Sequence, residues 1–145
     1  MKNLYTLAGL ILCIQLMATL TAHSKELKGQ QPGQEVTGVV TYPQKIKLPK
    51  NAVLSVRIVD VSTSNRAAVV IVQKTGPIPH QVPIPFALIV KSGQIDVRHT
   101  YNLQAVITLR GRAIWRNALV NPVITNGNAT RYVVLMARVN SHTRR

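Results

Sequence analysis

Residues 101–117 read YNLQAVITLRGRAIWRN, and this stretch decides the fold. Tyr101, Leu103, Ala105, Ile107 and Leu109 alternate with Asn102, Gln104, Val106 and Thr108. A period of two belongs to a strand with one face in a core. Arg110 and Gly111 then form a tight turn, although Arg is a weaker first turn residue than Asn or Asp, and Arg112–Asn117 returns as the second arm of a hairpin. Strict alternation in this arm would put Arg112, Ile114 and Arg116 on a polar, basic face and Ala113, Trp115 and Asn117 on the other. Trp115 is therefore expected in the core, where a buried aromatic contributes most.

The same pattern extends in both directions. Strands are expected over residues 36–42, 52–61, 69–73, 82–90 and 131–139, separated by turn chemistry at Leu48-Pro49-Lys50-Asn51, at Gly76-Pro77 with Pro79, and at Asn126-Gly127-Asn128. In the 52–61 run, Leu54, Val56 and Ile58 face the core and Ser55, Arg57 and Val59 face away. Pro83 and Pro85 cannot donate ladder hydrogen bonds and place their run at an edge. With the hairpin arms this makes about seven short strands without a helical period, the pattern of an all-β, single antiparallel β-sandwich.

The chain opens with Met1-Lys2-Asn3, an apolar stretch from Leu4 to Leu20, and then Thr21, Ala22, His23 and Ser24. That order is a secretory signal over residues 1–24, cleaved between Ser24 and Lys25, with Ala22 and Ser24 as the small residues the peptidase requires. A permanent anchor needs about twenty apolar residues, and Gln15, Gly9 and Thr19 weaken that alternative. Cys13 is the single cysteine and would leave with the signal. As a lipidation site it is poor, because bulky Leu12 precedes it. A polar leader over 25–35, the folded domain over 36–140 and a basic tail over 141–145 complete the organisation.

The chain holds 18 Lys plus Arg against 4 Asp plus Glu, a formal charge of +14. Removing Lys2 lowers this by one. Such a surface favours anionic partners. Export argues against nucleic acid and leaves anionic lipid, lipopolysaccharide, acidic glycan or an acidic envelope protein, with Arg57, Arg110, Arg112 and Arg116 as the candidate anion-binding residues.

Little in the sequence points to catalysis. Glu26 and Glu35 fall in the leader, leaving Asp60 at a strand end and Asp96 in a loop, where Arg98 two residues on suggests a local ion pair. Only a cleft that brought Asp60 and Asp96 together would support an enzyme. His80, His99 and His142 lack metal-ligand spacing, and no metal or cofactor is expected.

Several segments resemble the YbaY/YscW lipoprotein family, which includes the lipoprotein chaperones, or pilotins, of type III secretion systems. They are Tyr42, Leu48-Pro49, Ala52, Leu54, Val56 and Asp60-Val61-Ser62; then His80 to Phe86; then Ile95 to Tyr101 with Ala105, Ile107 and Gly111; and finally Pro122-Val123-Ile124-Thr125 with Gly127. The resemblance implies a compact, non-enzymatic β-sandwich in the bacterial periplasm, often tethered by lipid to the outer membrane. In the YscW branch it implies help for an outer-membrane secretin; this chain is more similar to the YbaY branch. The chain departs from the family pattern at Cys13, which lacks a proper lipobox, at Thr63-Ser64-Asn65-Arg66 and at Ile89-Val90-Lys91. The function expected is a binding or assembly-assisting protein that holds a protein segment at a strand edge or groove.

Overall fold

A computed structural model describes residues 33–140 of the 145-residue chain. The expected signal with Cys13 and the Ser24–Lys25 junction, most of the expected leader, and the expected basic tail with His142 lie outside the described residues. Within them the chain forms eight strands and no helix: β1 (Gln34–Thr41), β2 (Ala52–Asp60), β3 (Val69–Pro77), β4 (Ile84–Val90), β5 (Tyr101–Leu109), β6 (Arg112–Asn117), β7 (Pro122–Val123) and β8 (Arg131–Arg138).

The strands are not split into two stacked antiparallel sheets, as the sandwich expectation required. They form one order, β3-β2-β5-β6-β8-β1-β4, with β7 paired to β5, and the end strands β3 and β4 lie against each other across an open seam. The wall is thus a nearly closed barrel. Nor is it wholly antiparallel: β1 and β8 run parallel, Thr37 opposite Arg131 through Thr41 opposite Leu135. Hydrophobic alternation assigns a residue to a face but not a strand to a neighbour, so this long-range closure is not written in any local run.

The alternating residues behave as their period dictates. Tyr101, Leu103, Ala105 and Ile107 of β5 meet Leu54, Val56 and Ile58 of β2 and Val36, Val40, Phe86, Leu88, Val134 and Met136 in one core. Trp115 is 3% exposed and stacks on Tyr42, with ring centroids 4.2 Å apart and planes 11° from parallel. The Tyr42 hydroxyl donates to the Ile46 carbonyl at 2.5 Å. Leu48 is held by Gln81, whose Oε1 accepts from the Leu48 amide at 2.6 Å while Nε2 donates to its carbonyl at 3.3 Å.

Local expectations fail where strands bend or end. Trp115 pairs with Ile107 and Ala113 with Thr108, leaving Ile114 as a bulge. The bulge breaks the basic row: Arg112 lies opposite Leu109 and Arg116 opposite Val106, while Ile114 packs half-buried against the core. β3 continues to Pro77 because an edge strand tolerates Gly76 and Pro77. β1 begins at Gln34, two residues before the expected start, since Gln34 and Glu35 pair with Val90 and Ile89 of β4. Val59 is buried instead of outward and exposed. β7, only two residues long, carries no periodic signal.

Two backbone positions set the shape of the wall. Arg110 and Gly111 have φ of 49° and 76°, so both central turn residues are left-handed, as the right-handed twist of a two-residue hairpin requires. Gly38 stands where β1 passes β8 and β4. A Cβ there would overlap the Tyr132 carbonyl and press on the Phe86 ring. Gly38→Ala is therefore expected to cost about 2 kcal/mol by overpacking, read from the urea unfolding midpoint. Arg110→Asn is expected to shift the midpoint the other way by up to about 1 kcal/mol, since Asn accepts a left-handed backbone more readily.

Candidate functional site

The wall opens where β6 leaves β5. Beyond the Val106–Arg116 pair, β6 turns to follow β8, and the Ala118 amide donates to the Leu135 carbonyl at 2.8 Å. The backbone of β5 that β6 abandons cannot stay unpaired at the floor of the wall. The Asn117 side chain takes the place of the missing strand: its Oδ1 accepts from the Ala105 amide at 2.5 Å and its Nδ2 donates to the Leu103 carbonyl at 2.9 Å. The Leu103 amide donates to the Asn121 carbonyl at 2.8 Å, just before β7 resumes the ladder opposite Asn102 and Tyr101.

Residues 118–121 consequently bow out and form one bank of a groove of about 420 Å³ over the outer face of β5. Gln104 and Val106 lie in its floor, and Ser55 and Arg57 of β2 and Arg116 of β6 also line it. Leu119 and Val120 on the bank are 66% and 74% exposed. Arg57 is steadied by its neighbour in register, its Nε donating to Gln104 Oε1 at 3.0 Å, which leaves the terminal guanidinium nitrogens as further donors. Among the described residues the ion pairs are Arg98 with Asp96 and His99 with Asp60, so the groove arginines face no carboxylate of the described chain.

Of the four candidate anion-binding residues, the fold brings Arg57 and Arg116 to one groove. Arg110 lies in the hairpin turn and Arg112 at the start of β6, both exposed and neither lining it. The alternation of β5 and β6 missed Asn117, Leu119, Val120 and Asn121. A signal was present: two aliphatic residues flanked by asparagines between strands, where burial has no obvious use for them.

Asp60 and Asp96 do approach the same shallow depression, with His99, Tyr101, Ile71 and residues 93–97 around it. Each carboxylate is already committed. Asp96 accepts from the Arg98 amide at 2.9 Å, from its Nε at 3.0 Å and from its Nη2 at 2.6 Å; these bonds hold it well below the usual carboxylate range. Asp60 accepts from the Ser62 amide at 2.9 Å and hydroxyl at 2.6 Å, and faces His99 Nδ1 at 2.7 Å. Desolvation works to raise Asp60, but the Ser62 bonds and His99 outweigh it and its pKa is lowered. Two carboxylates held ionised by their own loops suit a latch better than acid-base catalysis. The Thr125 hydroxyl, donating to the His99 carbonyl at 2.7 Å, fastens the same loop from the other side.

A depressed carboxylate contributes stability that is complete above its unfolded value, near pH 4, and is lost as pH falls through the lower folded value. Acidification to about pH 3 is therefore expected to lower the hydrogen-exchange protection of the Arg98 and Thr100 amides, each taken against its intrinsic rate at that pH, before that of β5, and Asp60→Asn to remove the Thr100 part of that response.

The comparisons with known proteins agree with this architecture. Residues 31–136 match the model of the type III secretion system lipoprotein chaperone family, YscW. The chain is 31% identical over 108 residues to the lipoprotein YbaY of Escherichia coli K12, covering 74% of this chain and 56% of the relative, so it spans little more than half of that protein's length. Among solved structures it is similar to an alternative pilotin from the type II secretion system of Vibrio cholerae, with a TM-score of 0.70 and 31% identity over 74% of this chain and 97% of the other. With the family model matching most of the chain and a relative of the same fold, the protein belongs to the YscW family of lipoprotein chaperones.

Proposed function

We propose that this chain is a non-enzymatic assembly factor of the bacterial envelope, exported to the periplasm, that holds a segment of an outer-membrane protein in the groove over β5. The observation that carries the reading is the presence, in one groove, of two guanidiniums that face no carboxylate among the described residues and of an exposed aliphatic bank. That combination suits a segment presenting acidic and apolar side chains together. The arginines select and orient the acidic groups, and Leu119 and Val120 gain by leaving water. The partner class is a secretin or a comparable outer-membrane component, in keeping with relatives described as a lipoprotein chaperone and a pilotin.

Strand addition at a free edge is the other route to holding a segment. Here β3 and β4, the two strands with unpaired edges, lie against each other at the seam, and Pro85 interrupts the donors of β4.

The test is photo-cross-linking in cells from an amino acid introduced at Leu119, with Val97 on the far depression as the control position. An outer-membrane protein should be captured from position 119 and not from 97. Combining Arg57→Glu with Arg116→Glu should lower the captured amount at least about tenfold, the equivalent of 1.4 kcal/mol, without shifting the unfolding midpoint of this exposed surface. Capture from both positions alike, or undiminished capture by the charge-reversed protein, would refute the groove as the holding site.

A further inference from the structure

The outer surface of the barrel has two unlike halves. On β3, β2 and β5 the outward rows are mixed: Thr75 opposite Ser55 opposite Val106, and Gln73 opposite Arg57 opposite Gln104, with Val69 and Val70 exposed at the start of β3. On β8, β1 and β4 the register sets Val133 opposite Val39 opposite Pro85, with Leu135 along β8 and Ala87 and Ile89 along β4 on the same side. Val133 and Ile89 are 68% and 63% exposed. An outward strand face in water is ordinarily polar, and a run of aliphatic side chains across three neighbouring strands marks a surface with a partner.

We infer that this aliphatic face docks on an anionic lipid surface. Charge selects the occupant. Arg131 stands on the same face at one end of β8, beside Thr37, and Arg116 stands at the other end, beside Ala137. Glu35, opposite Ile89, is the single acid on the face, at its rim. Across the whole chain 18 Lys plus Arg stand against 4 Asp plus Glu, so a second copy would bring like charges together, whereas acidic headgroups would neutralise them. The chemistry also favours lipid. The outward residues are short aliphatics with no tryptophan or tyrosine among them, unlike the aromatic anchors of tight protein interfaces. An apolar strip flanked by arginines is what interfacial membrane elements present, the aliphatic groups entering the acyl boundary and the cations the headgroups. Arg116 lines both this face and the groove, whereas Arg131, Val133 and Ile89 lie outside the groove, so a reporter at Val133 reads docking separately from holding.

The test places a reporter on each half. In the full chain carrying Cys13→Ser, an environment-sensitive fluorophore is attached at Val133→Cys or, as control, at Thr75→Cys. Vesicles of phosphatidylglycerol with phosphatidylethanolamine should shift the Val133 emission to the blue and make it quenchable by brominated acyl chains, leaving the Thr75 reporter in water. Phosphatidylcholine vesicles, added salt or Arg131→Glu should remove the response. Equal responses at both positions, a wet Val133 reporter on protein that sediments with vesicles, or a blue shift that grows with protein concentration without lipid would each overturn the inference, the last by assigning the face to a second copy.

Discussion

The Asn117 side chain is the contact on which the arrangement turns. A strand in a barrel wall needs hydrogen-bonding partners on both sides, and β6 deserts β5 after Arg116. Were the Leu103 carbonyl and the Ala105 amide left bare, the buried backbone would cost about what a lost hydrogen bond costs at each group. One amide side chain satisfies both, acting as acceptor and donor at once, so the chain is free to bow out over residues 118–121 before β7 rejoins the ladder. The groove is the space that this substitution opens.

The closure of the wall places a second demand. β1 must run beside both β8 and β4, and the approach at Gly38 is close enough that only a residue without a Cβ fits between the Tyr132 backbone and the Phe86 ring. Closure also decides which outward faces become neighbours. It gathers Val39 of β1, Pro85, Ala87 and Ile89 of β4 and Val133 and Leu135 of β8 on one side, although no strand alone carries more than a few of them. A sandwich built from the same strands would distribute them differently.

The two acidic residues show how local chemistry can mislead about a site. Asp60 and Asp96 approach one depression, as a catalytic pair would, yet each is bound within its own turn or loop and held ionised. Their arrangement fastens residues 93–100 against the end of β2, which gives the Asp60-Val61-Ser62 and Ile95-to-Thr100 segments a structural reason to keep their residue types. Fold-level motifs made of such residues locate a scaffold, and function has to come from the surface the scaffold presents.

By itself the sequence determined the all-β class, the limits of β5 and β6, the hairpin at Arg110-Gly111, the inward set of β2 and β5, and the burial of Trp115. Each of these follows from a period of two or from turn chemistry acting over a few residues. Residues 42, 48–49, 52, 54, 56, 60–62, 80–86, 95–101, 105, 107, 111, 122–125 and 127 also carried the family resemblance. Only the tertiary structure decided that the strands close into one wall with a parallel β1–β8 pair, that a bulge at Ile114 separates Arg112 from Arg116, and that Arg57 and Arg116, 59 positions apart along the chain, share a groove with Leu119 and Val120. Those outcomes depend on which strands become neighbours and on where one backbone leaves another. Both are set by the simultaneous satisfaction of core packing and hydrogen bonding across the whole barrel, and no single run of residues contains them.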